Sequence, residues 1–356
     1  MQCVTPMIRQ YELGNYKKGH IVPRSTVGYE MNKNPMMLRF YLDKMNLKSH
    51  KYNYETVPCG KCYACRLNYS AEWATRIMLE AQYYNPDECW FITLTYDDNH
   101  INIPKIVYCD ETRQFYRNDG TWTGTLEPEE ITKFIKRLRD HFNYPNMKYF
   151  YCGEYGTGEG KRPHYHLILL GVPLNALEFY SAHIDSKFFK EHWKSHEIDK
   201  LWGKSWQDDG SSINDIANVE WNSIAYTARY CMKKIGEDFT EKSYKELGKV
   251  PEFVNMSKNI GLRYYHDHKE EIWKTDSITL TDWKGKTLKV KPPNYFMRLL
   301  EKEDPERAYQ IKRKRKEIGQ KIRHNQERQT DYSDLEMLLI KAEKIAQKAK
   351  ELPRDL

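Results

Sequence analysis

The chain has 356 residues, 40% hydrophobic and 30% charged, enough to bury a sizeable core in one main domain with appended segments. Apolar runs such as Leu167–Leu170 fall far short of the roughly 20 residues a membrane span needs. Met1–Pro6 has no charged stretch leading into an apolar core, so neither a membrane partner nor a signal peptide is expected. A net charge of +7, from 57 Lys+Arg against 50 Asp+Glu, permits a nucleic-acid partner without requiring one.

In chain order, residues 1–54 carry scattered Gly and Pro (Gly14, Gly19, Pro23, Gly28, Pro35) and read as an irregular arm. A cysteine cluster follows at Cys59, Cys62 and Cys65. Residues 67–84 have helical periodicity, stopped by Asn85-Pro86-Asp87. Cys89–Thr95 is rich in aromatic and β-branched residues and reads as a buried strand. A hairpin is expected over 105–122, turning at Asn118-Asp119-Gly120. A helix spans 128–142. Strands at 148–154 and 164–170 are joined by a Gly-rich connection short enough for a hairpin. Residues 176–202 read as helical, 219–221 as a short strand, and 222–234 as a helix ending at Gly236. Composition shifts near 250, and 305–350 reads as one or two charged helices. The expected organisation is an arm (1–54), a main α+β domain (55–245) and a C-terminal extension with a basic helical tail (246–356).

The strongest signal is Arg162-Pro163-His164-Tyr165-His166 followed by an apolar run. Side chains alternate across a strand, so His164 and His166 share a face about 7 Å apart along the backbone. Apolar residues on both faces after them mark an interior strand of a covered sheet. In an antiparallel hairpin, Glu154 falls opposite His164 and joins both histidines. Two nitrogens and a carboxylate suit a divalent cation with open positions. The alternative is a pair of core histidines hydrogen-bonded to Glu154; the strand context favours the metal.

Tyr226 and Tyr230 stand at i and i+4 of the helix read over 222–234, with Lys233 and Lys234 one turn on. A phenol near pKa 10 needs charge stabilisation to attack phosphorus. A metal and a nearby ammonium would supply it. Spacing alone favours tyrosines facing a core; the histidine strand upstream reverses that balance.

Cys59, Cys62 and Cys65 form a Cys-x2-Cys-x2-Cys run. In a chain without an export signal this reads as reduced thiols or a metal site. Structural Zn²⁺ would need a fourth ligand from Cys3, Cys89, Cys109 or a histidine, and an iron–sulfur cluster is also open. Ile311–Arg328 holds eight Lys/Arg against two Glu, a net of +6. It fits either a phosphate-binding tail or a solvated helix.

Three ordered stretches together resemble the HUH endonucleases, specifically the gokushovirus-type replication initiators of microviruses. They are Phe91–Tyr96, Arg162–Leu167 and Tyr226–Lys234, and Pro58–Cys62 adds to the likeness. The resemblance spans about residues 55 to 240. It implies a nuclease domain with a central antiparallel sheet flanked by helices, and Mg²⁺ or Mn²⁺ as cofactor. It makes His164 and His166 ligands, with Glu154 as the less certain third, and Tyr226 and Tyr230 nucleophiles assisted by Lys233 or Lys234. The implied activity is nicking and rejoining of DNA through a 5′-phosphotyrosine link, to start and end rolling-circle replication of a small single-stranded DNA phage genome. Single-stranded and viral origin DNA, a host helicase and a host polymerase are the implied partners, in the bacterial cytoplasm. Without a Walker sequence in the chain, the helicase is a separate protein. The rival expectations are a plasmid relaxase or transposase with the same chemistry, and a non-catalytic zinc-containing nucleic-acid-binding protein.

Overall fold

The computed structural model describes residues 6–12, 20–22, 52–60, 62–103, 106–109, 114–117, 124–144, 146–156, 162–175, 177–185, 188–219, 224, 227–228, 248–281, 287–332 and 334–350. The chain divides into two compact units, one of Met1–Tyr69 with Met297–Asp355, the other of Ser70–Phe296.

In the first unit, β1 (Met7–Glu12), β2 (His20–Val22) and β3 (Tyr52–Val57) form an antiparallel sheet in the order β2-β1-β3. The described parts of the N-terminal region are therefore paired strands rather than an irregular arm. Short strands separated by long Gly- and Pro-bearing stretches leave too little periodicity to read. Helix α1 (Tyr63–Ala81) starts earlier and ends earlier than the periodicity suggested. The tail forms two long helices, at Pro305–Glu327 and Asp334–Lys350, as expected. Asp304 caps the first, accepting from Arg307 N at 3.0 Å.

The second unit is built on a seven-stranded sheet. It contains β4 (Cys89–Thr95), β7 (Lys148–Tyr155), β8 (Pro163–Leu170), β9 (Glu178–Asp185), β10 (Phe188–Lys194), β11 (Asp215–Asn218) and β12 (Phe253–Met256). The order is β12-β7-β8-β4-β11-β10-β9, and every pairing is antiparallel. The fold class is α+β, as expected, and β8 lies inside the sheet. A strand from beyond residue 245, β12, completes one edge.

Three readings are corrected here. Residues 178–194, read as part of a helix, are the β9–β10 hairpin at the other edge. Their aromatic and β-branched residues fit a strand period as well as a helical one, and only His196–Trp202 (α3) is helical. The short strand placed at 219–221 is β11, at Asp215–Asn218. The hairpin over 105–122 exists as β5 (Ile106–Cys109) and β6 (Gln114–Arg117). However, Cys109 pairs with Gln114, so it turns at 110–113 and not at Asn118-Asp119-Gly120.

Alternation divides the sheet into two faces. One carries Trp90, Ile92 and Leu94 of β4, Tyr151 of β7 and Tyr165, Leu167 and Leu169 of β8. These pack against Ile131, Phe134, Ile135 and Leu138 of α2 (Pro128–Phe142) and Ile198 and Trp202 of α3. The α2 boundaries are those expected. Pro128 opens the helix, Glu129 and Glu130 favour its N-terminus, and Asn143 ends it in the left-handed region. Gly153 of β7 lies on this packed face. A Cβ there would sit 3.0 Å from the Phe253 ring and 3.1 Å from Tyr165. The opposite face carries Phe150, Cys152 and Glu154 of β7, His164 and His166 of β8, and Phe91 and Thr93 of β4. Trp73 of α1 packs on Phe150 there, ring centroids 5.4 Å apart. Among the described residues, no helix is long and apolar enough to cross a membrane.

The core tyrosine between the histidines locks β8 in place. The Tyr165 hydroxyl donates to Glu127 O at 3.0 Å and accepts from Glu127 N at 2.9 Å. Tyr165→Phe should therefore cost about 1–3 kcal/mol by leaving both backbone groups unmatched. Phe134→Ala, which empties a fully buried ring site, should cost about 3–5 kcal/mol. Urea unfolding followed by circular dichroism measures both.

Candidate metal centre

The expected hairpin register holds: Glu154 stands opposite His164. The sheet thus brings Glu154, His164 and His166 together, with donor atoms all within 4.8 Å of one another. Both imidazoles converge on one carboxylate oxygen. His164 Nε2 is 2.9 Å and His166 Nε2 2.8 Å from Glu154 Oε1. The Glu154 side chain is only 2% exposed, and its other oxygen, Oε2, is buried with no hydrogen-bond partner.

The outer nitrogens fix the rings. His164 Nδ1 donates to Arg162 O at 3.0 Å. His166 Nδ1 lies 3.0 Å from Thr93 Oγ1, across the β4–β8 pairing. The Phe91 ring stacks on His166 with centroids 5.4 Å apart. Arg162 Nη1 donates to Tyr96 O at 2.5 Å, and the same guanidinium pairs with Asp98, tying the start of β8 to the end of β4.

This arrangement has a definite electrostatic consequence. A neutral His164 that donates from Nδ1 presents a bare lone pair at Nε2. A lone pair 2.9 Å from a carboxylate oxygen is repulsive unless a positive charge is shared between them. Either a second proton on the ring or a metal cation meets that need. Burial would raise the Glu154 carboxyl, but hydrogen bonds and charge from His164 and His166 outweigh it and hold the group below its ordinary range. Glu154 is thus an anion kept ionised in a buried site. An unsatisfied buried oxygen and two oriented imidazoles are the donor set of a small divalent cation.

Tyr226, Tyr230, Lys233 and Lys234 lie outside the described residues. Of their segment, Ile224, Thr227 and Ala228 are helical and buried. Tyr96, Tyr151, Tyr155 and Tyr165 all lie on the packed face of the sheet, and burial, the largest cause in each case, raises their phenols. Sequence reasoning assigned no role to Thr93 or to the Arg162 carbonyl. Both follow from which strand neighbours β8 and where β8 begins, and no local motif encodes that. The second donor group expected from the sequence is also assembled. The sulfur atoms of Cys59, Cys62 and Cys65 lie within 4.8 Å of one another.

Comparison with known proteins gives a consistent picture. The family model of the replication-associated protein ORF2 matches residues 89–235, a span that contains β4, β7 and β8. The chain is 36% identical over 326 residues to the replication-associated protein ORF2 of Spiroplasma virus 4, covering 90% of this chain and 88% of the relative. It is 26% identical over 284 residues to the replication-associated protein VP4 of Bdellovibrio phage phiMH2K, covering 74% of each. No solved structure matches. Similarity at this level over nearly the whole of both chains establishes that this protein belongs to the replication-associated protein ORF2 family.

Proposed function

We propose that the protein is an HUH-type replication initiator. It would cut and rejoin one DNA strand at a phage origin to begin and end rolling-circle replication. The observation that carries this reading is the single buried carboxylate oxygen shared by His164 and His166 on one sheet face. Relatives named as replication-associated proteins of a Spiroplasma virus and a Bdellovibrio phage support the setting.

Glu154, His164 and His166 would hold Mg²⁺ or Mn²⁺, which when bound would supply positive charge to an oxygen of the scissile phosphate. Thr93 and the Arg162 carbonyl would keep the imidazoles in the ligating orientation. Tyr226 or Tyr230 would attack phosphorus. The tyrosine oxygen–phosphorus bond forms, the phosphorus–O3′ bond breaks, and the phenolic proton passes to the departing 3′ oxygen. Lys233 or Lys234 would offset charge on the phosphate. The bond energy is kept in the phosphotyrosine, so the 3′ hydroxyl can later reverse the step without a nucleotide cofactor. A second tyrosine allows a second cut before the first link is resolved.

The buried residues Ile224, Thr227 and Ala228 follow i, i+3, i+4 spacing, one stripe of a helix. Positions 226 and 230 fall off that stripe at the helical period, which supports tyrosines serving chemistry rather than a core. Single-stranded origin DNA is the proposed substrate. A separate host helicase and polymerase would complete replication in the bacterial cytoplasm.

With origin-bearing single-stranded DNA and Mn²⁺, the protein should form a covalent adduct that survives boiling in detergent on a denaturing gel. The Tyr226→Phe, Tyr230→Phe double variant should form none, and His164→Ala should slow formation by roughly 100-fold or more. An undiminished adduct from the double variant would place the nucleophile elsewhere. Separately, Thr93→Val should weaken Mn²⁺ binding by roughly 10–100-fold, through loss of ring orientation. Binding of every variant should fall as acid converts the imidazoles to imidazolium. Titration calorimetry with Mn²⁺ reads both effects.

A further inference from the structure

We propose that Cys59, Cys62 and Cys65 form a structural zinc site that joins the end of β3 to the start of α1, with Cys3 as its fourth ligand. The site is independent of the Glu154/His164/His166 group.

The geometry fits three thiolates on one ion. Cys59 Sγ and Cys65 Sγ are 4.0 Å apart. Two sulfurs on a tetrahedral zinc, each at about 2.3 Å, stand about 3.8 Å from one another. A disulfide needs about 2.05 Å, and no disulfide joins these cysteines. The turn that gathers them is specific. Gly60 takes a left-handed φ of 74°, and the Cys62 N–H then donates to Cys59 Sγ at 3.3 Å. An N–H aimed at sulfur favours the thiolate over the thiol. Cys65 lies in the first turn of α1, where the backbone favours negative charge and no acidic side chain competes. Thiolates select a soft or borderline ion such as zinc over Mg²⁺ or Mn²⁺.

The fourth ligand follows from strand register. Met7 stands opposite Val57, and Val57 is two residues before Cys59. Cys3, which lies outside the described residues, precedes Met7 by only four residues. Cys89 is committed elsewhere, buried in β4 with its thiol donating to Asn85 O at 3.4 Å. The benefit is mechanical. A three-stranded sheet of short strands has little core of its own, and metal-binding energy becomes folding energy where the ligands bridge separate elements.

The test uses the full chain, purified without added metal. Plasma mass spectrometry should find about one zinc per chain, retained in a His164→Ala, His166→Ala variant and lost in Cys62→Ser. Cobalt exchanged for zinc should give intense near-ultraviolet sulfur-to-cobalt absorption, which a histidine–carboxylate group cannot produce. That spectrum is read on the native chain, so it decides even if Cys62→Ser does not fold. Zinc-free protein with no such absorption on cobalt titration would overturn the site. Iron–sulfur absorption in anaerobically purified protein would overturn zinc as its metal. A Cys3→Ser variant should shift the visible cobalt bands, and an unchanged spectrum would overturn the assignment of Cys3.

Discussion

A buried carboxylate between two imidazoles is the constraint around which the second unit is arranged. Glu154 is ionised and nearly inaccessible to water, and such a charge is costly unless opposite charge meets it. The two histidines meet it on one oxygen and leave the other without a partner. A site of this kind holds its shape only if its strands cannot slide. A slip of one residue would send both imidazoles into the packed core. The register is pinned from the far side, where Tyr165 clamps the Glu127 backbone and contacts the Tyr96 hydroxyl at 3.0 Å. Tyr96 in turn donates to Glu130 Oε2 at 2.6 Å. The bulky residue between the histidines is therefore the fastening of the strand that presents them.

Local signals in the sequence sufficed for this centre because its parts are close in sequence. The hairpin from Glu154 to His164 needs only alternation and a short connection, and α2 carries its own start and stop residues. What resisted reading depended on distant partners. Thr93 reaches His166 because β4 lies beside β8, a pairing across some 70 residues of chain that no local motif specifies. The β9–β10 segment failed for a different reason. Its run of Phe, Tyr, His and Trp satisfies both helical and strand periods, and the choice is made by pairing at the sheet edge. The short N-terminal strands likewise gain their identity from register with β3, 40 residues or more downstream.

The two donor groups differ as their chemistry demands. Oxygen and imidazole nitrogen around a buried anion suit a hard or borderline cation whose remaining positions take exchangeable ligands. Sulfur atoms gathered at a tight turn and a helix start suit a closed site that serves folding. One group is carried by interior strands of a large sheet, where rigidity comes from the core. The other sits where a small sheet meets a helix, and there the proposed ion supplies rigidity the core lacks.

The division of the large sheet into faces also limits where a nucleophile can come from. Tyr151 and Tyr155 on β7 and Tyr165 on β8 alternate away from Glu154 and the histidines, into the hydrophobic core. There burial pushes their phenols up and their hydroxyls are held by backbone or side-chain partners. A phenol in that state cannot reach a phosphate on the other face. The strands that orient the proposed metal thus cannot also supply the attacking group. It must arrive on an element outside the sheet, and a tyrosine pair one helical turn apart meets that need while leaving the metal's own geometry undisturbed between successive transfers.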